Sequence, residues 1–315
     1  MPPVDRKNPK RAASSESDFS LMEFMGAFPN DDACLDYLWT TRYSPDGDRA
    51  LCPHCEVERT FRHYAEKRQA WTCVACGYRI YVTAGTIFHK SSTSLHLWFY
   101  AMYLMSSTRC GISAKQLERE LGVTYKTAWR MFTLIRNELM GQDDDLVLNG
   151  RVEMDEMYVG GRPRLADKMA KGPRATGAWR DKKTEVFGAV ERGGRVTAHV
   201  IPSRRTPTIM GHVQKRVDAS AIVYTDQARQ YWNLPQEHHT IAHHEGIYVS
   251  GDVHTNTIEG FWSLVKRGIS GTHHAVSPKW LQGYLNEYVW RYNHRDDGRA
   301  MFLTLLLRAA VTPVG

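Results

Sequence analysis

Residues 151–159, RVEMDEMYV, are the stretch that decides the fold. The segment is rich in valine and large apolar residues and follows Gly150, which predicts a strand. Asp155 lies in the middle of that strand, where an unpaired charge would be costly to bury. A single strand aspartate is more often a cap or a surface residue, so its meaning depends on the segments around it.

Three further segments read as strands because β-branched residues are bounded by Gly or Pro: TEVFGAVE (184–191), RVTAHVIP (195–202) and AIVYTD (221–226). Helix signals occur at about 207–217, 256–268 and 278–292. The alternation of strands and helices indicates a mixed α/β fold. The last strand ends in Asp226, at the carboxyl end where the sites of α/β proteins lie.

A third carboxylate, Glu259, lies in the predicted helix HTNTIEGFWSLVKRG (254–268). Lys266 follows it by seven positions, about two helical turns, so the two side chains share a face, close to Asn256. Two strand carboxylates and one helix carboxylate are the hard oxygen ligands that a pair of Mg²⁺ ions needs. We therefore predict that Asp155, Asp226 and Glu259 form a metal site.

Basic residues near these acids suggest a phosphate ligand. Lys266 and Arg267 could neutralise phosphate, as could a protonated His254, although a solvated helix flank is the alternative. Residues 162–183 hold eight basic and two acidic residues among Gly, Pro and Ala. This composition predicts a mobile basic loop that follows a DNA backbone, or else simply a solvated surface.

Two cysteine pairs form the strongest motif of the chain. Seventeen residues separate the pair Cys52 and Cys55 from the pair Cys73 and Cys76, within the spacing of a four-cysteine zinc ribbon. Four thiolates make a closed structural site, so we expect no chemistry at this zinc. A redox pair is the competing interpretation, but that motif normally occurs singly.

Residues 112–140 predict two helices joined by a turn at Gly122. Ser113 and Thr124 suit the two N-caps, and the second helix exposes Lys126 and Arg130 near its start. A recognition helix presents its side chains to the major groove in this way. We predict a helix-turn-helix-like DNA-binding module over 94–140; an ordinary αα-hairpin is the alternative.

Composition limits the remaining possibilities. The chain has 315 residues and a net charge of +7, which permits a polyanionic partner. Its longest apolar run, Leu97–Met105, is about half the length of a membrane span. We expect a cytoplasmic protein with a flexible leader (1–20), a helical segment (21–50), the zinc ribbon (51–85), an α/β domain (150–300) and a C-terminal tail (301–315).

The chain resembles the zinc-ribbon DDE transposases of bacterial insertion sequences, which are related to the Merlin superfamily. The motifs that carry the resemblance are CPHC (52–55), CVAC (73–76), ISAKQLERELGVTYKTAWRM (112–131), DEMYVGG (155–161), YTDQARQY (224–231), GDVHTNTIEGFWSLVKRGISGTHH (251–274) and LNEYVWRYNHR (285–295). The resemblance implies a ribonuclease H-like catalytic domain in which Asp155, Asp226 and Glu259 hold two Mg²⁺ or Mn²⁺ ions. Some members use an asparagine as the third ligand, which makes Asn256 the alternative to Glu259.

The function implied is metal-dependent cleavage at the ends of an insertion sequence and strand transfer into target DNA. We expect a homo-oligomer assembled on the terminal repeats, associated with the nucleoid when bound to DNA. A zinc-ribbon DNA-binding regulator whose α/β domain is a scaffold is a second possibility, although all three acids are present. A metal-dependent nuclease without strand transfer is a third, which the sequence does not separate from the first.

Overall fold

The computed structural model describes residues 19–63, 70–108, 110–160, 183–241 and 254–313. Contacts divide the chain into two units. Unit 1 consists of Met1–Arg109 together with His294–Gly315, and unit 2 is Cys110–Asn293. The predicted leader (residues 1–18 of it) and residues 162–182 of the basic loop lie outside the described residues.

Unit 1 begins with two short helices, α1 (Leu21–Ala27) and α2 (Asp31–Arg42). The Ser20 hydroxyl accepts a hydrogen bond from the Glu23 backbone N–H (3.2 Å), and the Glu23 carboxylate accepts one from the Ser20 N–H (2.6 Å), which forms a capping box. The Asn30 side chain caps α2 by accepting from the Ala33 N–H at 3.0 Å. Residues Phe28 to Asn30 therefore form the junction of these two helices.

Four short antiparallel strands follow in the order β1-β2-β3-β4. They are β1 (Arg49–Leu51), β2 (Glu58–His63), β3 (Ala70–Cys73) and β4 (Arg79–Tyr81). Gly77 has a φ of +75° in the turn that leads into β4, a conformation that glycine adopts without strain. The Trp71 ring stacks on that of Trp39 from α2, with centroids 5.0 Å apart, so the small sheet shares its core with the helices.

Helix α3 (Leu95–Ser107) belongs to unit 1, which corrects the predicted module of 94–140. Eight of its thirteen residues are buried, so most of its surface needs an apolar partner. Tyr103 of α3 and Phe302 from the C-terminal end of the chain both contact the Phe24 ring of α1. Helix α3 is therefore a core element of unit 1, whereas the rest of the predicted module, from residue 110 onward, belongs to unit 2.

The C-terminal segment 301–315, which the sequence predicted to be a tail, contains helix α9 (Met301–Val311). Its apolar side chains recur at helical spacing and are buried: Met301, Phe302, Leu305, Leu306, Ala309 and Ala310. The helix packs on α3 and α2. The prediction was wrong because that apolar stripe is a core face.

Unit 2 contains a helix pair, α4 (Ala114–Leu121) and α5 (Tyr125–Leu134). The turn lies at Gly122, which has a φ of +63°, and the predicted caps form: Ser113 Oγ accepts from the Gln116 N–H (3.1 Å), and Thr124 Oγ1 accepts from the Thr127 N–H (3.4 Å). Helix α5 continues as a π-helical turn and a 3₁₀ turn to residue 145. The apolar faces of the two helices are buried at Leu117, Leu121, Ala128, Met131 and Ile135.

A five-stranded sheet forms the centre of unit 2 in the order β7-β6-β5-β8-β9. The strands are β5 (Arg151–Val159), β6 (Thr184–Glu191), β7 (Val196–Ile201), β8 (Ile222–Asp226) and β9 (Glu237–Ile241). Strands β5, β6 and β7 are antiparallel neighbours, whereas β8 runs parallel to both β5 and β9.

Helices cover both faces of this sheet. Met157 of β5 packs against α7 (Asn256–Gly268) and α8 (Leu281–Asn293), while Met154 faces α6 (Thr206–Arg216). Successive strand residues point to opposite faces, so the odd-numbered residues of β5 lie on the side of α7. This alternation decides the surroundings of each acid on the strand.

A buried ion-pair cluster joins the helix pair to α8. Arg136, in the π-helical turn after α5, donates from Nε to Glu287 Oε2 at 2.7 Å, and Arg291 donates to Glu287 Oε1 at 3.2 Å. Burial disfavours the charged form of Glu287, but the two guanidinium groups hold the pKa of its carboxyl below the usual value. The Arg136 guanidinium also lies 3.5 Å from the centroid of the Phe132 ring.

None of the helices in the described part of the chain has the length and apolar character needed to cross a bilayer.

We expect Leu305→Ala to destabilise unit 1 by about 2–5 kcal/mol, because it opens a cavity among fully buried side chains. Denaturation in urea, followed by tryptophan fluorescence, measures the effect. Val311→Ala is the matched control on the same helix, since Val311 is 56% exposed, and it should change the free energy of unfolding by at most about 0.5 kcal/mol. Equal effects of the two substitutions would contradict the assignment of α9 to the core.

Candidate functional site

Asp155 and Asp226 lie on neighbouring parallel strands. In the pairing of β5 with β8, Arg151 lies opposite Ile222 and Glu153 lies opposite Tyr224. Continued by two positions, the same register brings Asp155 level with Asp226. The two acids predicted from separate parts of the sequence therefore lie on adjacent strands, of which β5 is the central strand of the sheet.

Glu259 approaches from helix α7, in whose first turn it lies. The Thr255 hydroxyl donates to Glu259 Oε1 at 3.1 Å. The face of α7 that carries Glu259 is exposed, and Asn256, Ser263 and Lys266 share it at helical spacing. Glu259 thus lies on the solvent side of the helix that covers Asp155.

Asp226 and Glu259 both act on the electrostatics of Asp155. Burial is the main factor that raises the pKa of Asp155 to about 6, and the negative charges of Asp226 and Glu259 add to it. The backbone N–H of Glu156 and the indole of Trp262 oppose the shift. A carboxylate in such surroundings gains from a cation that neutralises its neighbours.

Trp262 and Gly188 hold Asp155 in place. The Trp262 indole Nε1 donates to Asp155 Oδ2 at 3.1 Å. Gly188 is the partner of Asp155 on the antiparallel strand β6, and a Cβ at that position would lie 2.4 Å from atoms of the Trp262 ring. Glycine is needed opposite Asp155 because the indole occupies the space of a side chain.

Glu153 is a site residue that the sequence prediction missed. It lies on the same face of β5 as Asp155 and is fully buried. Its carboxylate accepts hydrogen bonds from the Arg192 side chain (2.7 Å) and from the backbone N–H groups of Thr257 (2.8 Å) and Ile258 (3.0 Å). Strand β5 is therefore connected directly to the first turn of α7.

Glu156 was also missed, and it lies on the opposite face of the sheet. Gln230 donates to its carboxylate at 3.0 Å, and the Tyr231 hydroxyl donates to it as well. Burial raises the pKa of Glu156 to about 7; the Tyr231 hydrogen bond opposes this shift, and Asp155 and Asp226 reinforce it. Glu156 fixes the segment that follows Asp226.

The predicted phosphate ligands are in two different environments. Lys266 and Arg267 are exposed in the last turn of α7. His254 instead faces inward, with Nδ1 3.2 Å from Glu153 Oε1. Asn256, the alternative third ligand, is exposed at the first position of α7.

The four ribbon cysteines converge as the spacing predicts. The sulfur atoms of Cys52, Cys55, Cys73 and Cys76 all lie within 4.8 Å of one another, and those of Cys52 and Cys76 are 3.6 Å apart. Zinc–sulfur bonds of about 2.3 Å in a tetrahedron require sulfur atoms about 3.8 Å apart. The donor set fits zinc. Within the described ranges it is the only group of three or more His, Cys, Asp or Glu residues with ligand atoms this close.

The thiol of Cys52 is suited to binding a metal. Burial disfavours its thiolate, but the N–H groups of Cys55 and His54 and the neighbouring thiols lower the pKa of Cys52 to about 7. The backbone N–H of Tyr78 favours the thiolate of Cys76, but burial and the thiols of Cys52, Cys55 and Cys73 raise the pKa of Cys76 to about 12. One thiolate forms readily, and a cation is needed for the four to ionise together.

The start of α5 presents the side chains predicted to contact DNA. Lys126 and Arg130 are exposed, and so is Tyr125, the first residue of α5, which is 46% exposed. The Lys115 ammonium group lies 5.6 Å from the centroid of the Tyr125 ring. The exposed surface at this helix terminus is therefore basic and aromatic.

Comparison with known proteins gives two family matches. Residues 147–293 match the ISXO2-like transposase domain, and residues 29–79 match the transposase zinc-ribbon domain. The chain is also 32% identical, over 269 residues, to an uncharacterised protein of the transposable element ISH50 from Halobacterium salinarum, covering 81% of this chain and 90% of that protein. The chain belongs to the ISXO2-like transposase family. The ISXO2-like domain includes Asp155, Asp226 and Glu259.

Among solved structures, the chain has a likeness to the pre-cleavage Mos1 transpososome, at 15% identity and a TM-score of 0.26, over 62% of this chain and 72% of the other. A TM-score this low does not bear on the fold of the ISXO2-like transposase described above.

We expect the purified transposase to contain one zinc ion per chain and Cys76→Ser to lose it, because three sulfur ligands leave the tetrahedral site open. Metal analysis after gel filtration measures the zinc content. Cys110→Ser is the control, since Cys110 is exposed and outside the cluster, and it should retain the metal. A wild-type chain without zinc would show that the cysteines have another role.

Proposed function

We propose that this transposase cleaves DNA at the ends of its element and transfers the strands to target DNA, at a site formed by Asp155, Asp226 and Glu259. The observation that carries the proposal is the placement of Asp155 and Asp226 on the adjacent strands β5 and β8 and of Glu259 on the helix α7 that packs on β5. Burial, and then the negative charges of Asp226 and Glu259, raise the pKa of Asp155. Carboxylates that raise the pKa of a partly buried neighbour are unfavourable for stability alone and are typical of functional sites.

The donor set fits Mg²⁺ or Mn²⁺, since all three residues supply hard oxygen ligands and each gains from a neighbouring divalent cation. Such ions would lower the pKa of an attacking water or 3′ hydroxyl and stabilise the leaving oxygen. The residues of this chain would orient the acids that hold the ions. Trp262 orients Asp155, and Thr255 orients Glu259.

The exposed face of α7 gives DNA access to the acids. Glu259 is exposed whereas Asp155 is partly covered, so a phosphate can approach from the side of α7. Lys266 and Arg267, about two turns further along the helix, would bind neighbouring phosphates of the same strand. Asn256 lies on this face and is the alternative third ligand.

The topology of the sheet supports a ribonuclease H-like catalytic domain. Three antiparallel strands are followed by two parallel ones, and the central strand β5 carries Asp155. Asp226 ends the neighbouring strand at the carboxyl end, where ligands of α/β sheets bind.

The proposed DNA contacts outside the site are the zinc ribbon and the start of α5. Both would contribute to recognition of the terminal repeats. Pairing of two element ends would be achieved by a homo-oligomer assembled on DNA.

We expect Asp155→Asn, Asp226→Asn and Glu259→Gln each to reduce cleavage by at least about 100-fold, because each removes a negative ligand from a cation site. DNA binding should change little, since the basic surfaces remain. Cleavage and joining of a DNA fragment bearing the element ends, assayed with Mg²⁺ and with Mn²⁺, measure the effect.

Asn256→Ala is the comparison that tests the third ligand. If Asn256→Ala abolishes cleavage and Glu259→Gln does not, the asparagine is the ligand. Cleavage by the wild type without any joined product would leave a metal-dependent nuclease, and binding of the ends without cleavage would leave a DNA-binding regulator.

Replacing Lys126 or Arg130 by Ala should weaken binding to the element ends, and loss of a base contact should cost about 1–3 kcal/mol of sequence discrimination. Titration of labelled terminal and scrambled DNA measures both effects. Lys279→Ala, which removes a cation from a different element of unit 2, is the control. If both substitutions leave affinity and discrimination unchanged, α4 and α5 are a structural hairpin only.

A further inference from the structure

Glu153 is a buried carboxylate outside the predicted group of three acids. Its side chain is 0% exposed, whereas the Asp155 residue two positions along the strand is only partly covered. An ionised carboxylate so deep in a protein is retained only with strong partners. Its partners show what it holds in place.

Two of these partners are backbone groups at the N-terminus of α7. Glu153 Oε2 accepts hydrogen bonds from the N–H groups of Thr257 and Ile258, at 2.8 and 3.0 Å. Thr255, the N-cap residue, makes no capping hydrogen bond with its own side chain. Glu153 therefore caps α7 from a different element, and its negative charge lies at the positive end of the helix dipole.

The other Glu153 oxygen is held from two sides. Arg192, in the turn after β6, donates from Nε to Oε1 at 2.7 Å, and the Thr257 hydroxyl donates to the same atom at 2.9 Å. Arg192 also donates from its terminal nitrogen to the His254 carbonyl at 2.7 Å. The carboxylate and the guanidinium together join β5, the β6–β7 turn and the residues that lead into α7.

We propose that Glu153 is a positioning residue that sets the distance between Asp155 and Glu259. Asp155 lies two residues beyond Glu153 on the same face of β5, and Glu259 lies one residue beyond Ile258 in α7. The hydrogen-bonded junction thus connects the two acids through neighbouring residues, in addition to the direct hydrogen bond from Trp262 to Asp155. This role rests on the proposed function, because it concerns the spacing of that cation site.

The chemistry of the junction requires a glutamate. The nearby His254 Nδ1 is a donor only when it carries a proton, but the Thr257 and Ile258 N–H groups, the Thr257 hydroxyl and the Arg192 guanidinium are all donors. Both oxygens must therefore accept, and in Glu153→Gln an amide N–H₂ would face donors. Glu153→Asp keeps the charge but is one methylene shorter, so it cannot keep every contact between β5 and α7. Both substitutions should let the first turn of α7 move relative to Asp155.

Three measurements on the zinc-loaded full chain test this role. In Glu153→Gln, hydrogen exchange at the Thr257 and Ile258 amides should accelerate. Mn²⁺ affinity, from electron paramagnetic resonance, and kcat for cleavage should each fall by about 10- to 100-fold, as on loss of other residues that orient metal ligands. The KM for DNA bearing the element ends should stay within about twofold, since Glu153 is buried away from DNA. Glu153→Asp should give a smaller loss in the same direction.

Glu287→Gln is the matched control. Glu287 is equally buried and is bound by two arginines in the same unit, but its partners belong to the region of α5 and α8. It should lower the thermal stability of the protein without changing exchange at Thr257 and Ile258 or the affinity for Mn²⁺. If Glu153→Gln fails to fold, Thr257→Val removes one donor while keeping the shape of the side chain, and it should reduce Mn²⁺ affinity and kcat.

The positioning role is overturned if the wild type binds Mn²⁺ and cleaves DNA and the Glu153 variants match it in metal affinity and kcat. It is also overturned if Glu287→Gln lowers Mn²⁺ affinity as much as Glu153→Gln, because the effect would then be general destabilisation. A wild type that neither binds Mn²⁺ nor cleaves DNA overturns the proposed function itself, a result distinct from the first two.

Discussion

The cost of burying negative charge on strand β5 is the constraint on which the structure of unit 2 depends. The strand carries Glu153, Asp155 and Glu156 into the middle of a sheet with helices on both faces. The two glutamates point to opposite faces, and each is bound by donors from the element that follows or covers it. Stabilising these charges therefore also fixes the two elements that carry Asp226 and Glu259.

Pairing of a buried charge also connects the helix pair to α8, which packs on the sheet. The Arg136 side chain, in the π-helical turn after α5, reaches the core, where Glu287 of α8 is bound between two guanidinium groups. Removing one member of such a cluster leaves an uncompensated buried charge, so the contact opposes separation of the helices. The surface at the start of α5 proposed to contact DNA and the site proposed to cut it thus belong to one packed unit.

The sequence predicts residues whose role can be inferred from the pattern of their neighbours along the chain. The cysteine spacing predicts the sulfur cluster, and Asp155 and Asp226 follow from a strand pattern and from the rule for strand ends. Glu153 could not be predicted, because on the strand it is one of three similar acids and only the position of α7 distinguishes it. The apolar repeat of residues 301–310 is visible in the sequence, but its partners lie far earlier along the chain, in α2 (Asp31–Arg42) and α3 (Leu95–Ser107).

The position of α9 affects the order in which the protein can be completed during synthesis. A ribosome makes the chain from its N-terminus, and domains generally fold as units as they emerge. Unit 2 has its full sequence once Asn293 has been made, whereas unit 1, which begins the chain, must wait for its last helix. A copy of the gene truncated near its 3′ end would therefore spare the residues of the acidic site and damage the unit that holds the zinc ribbon.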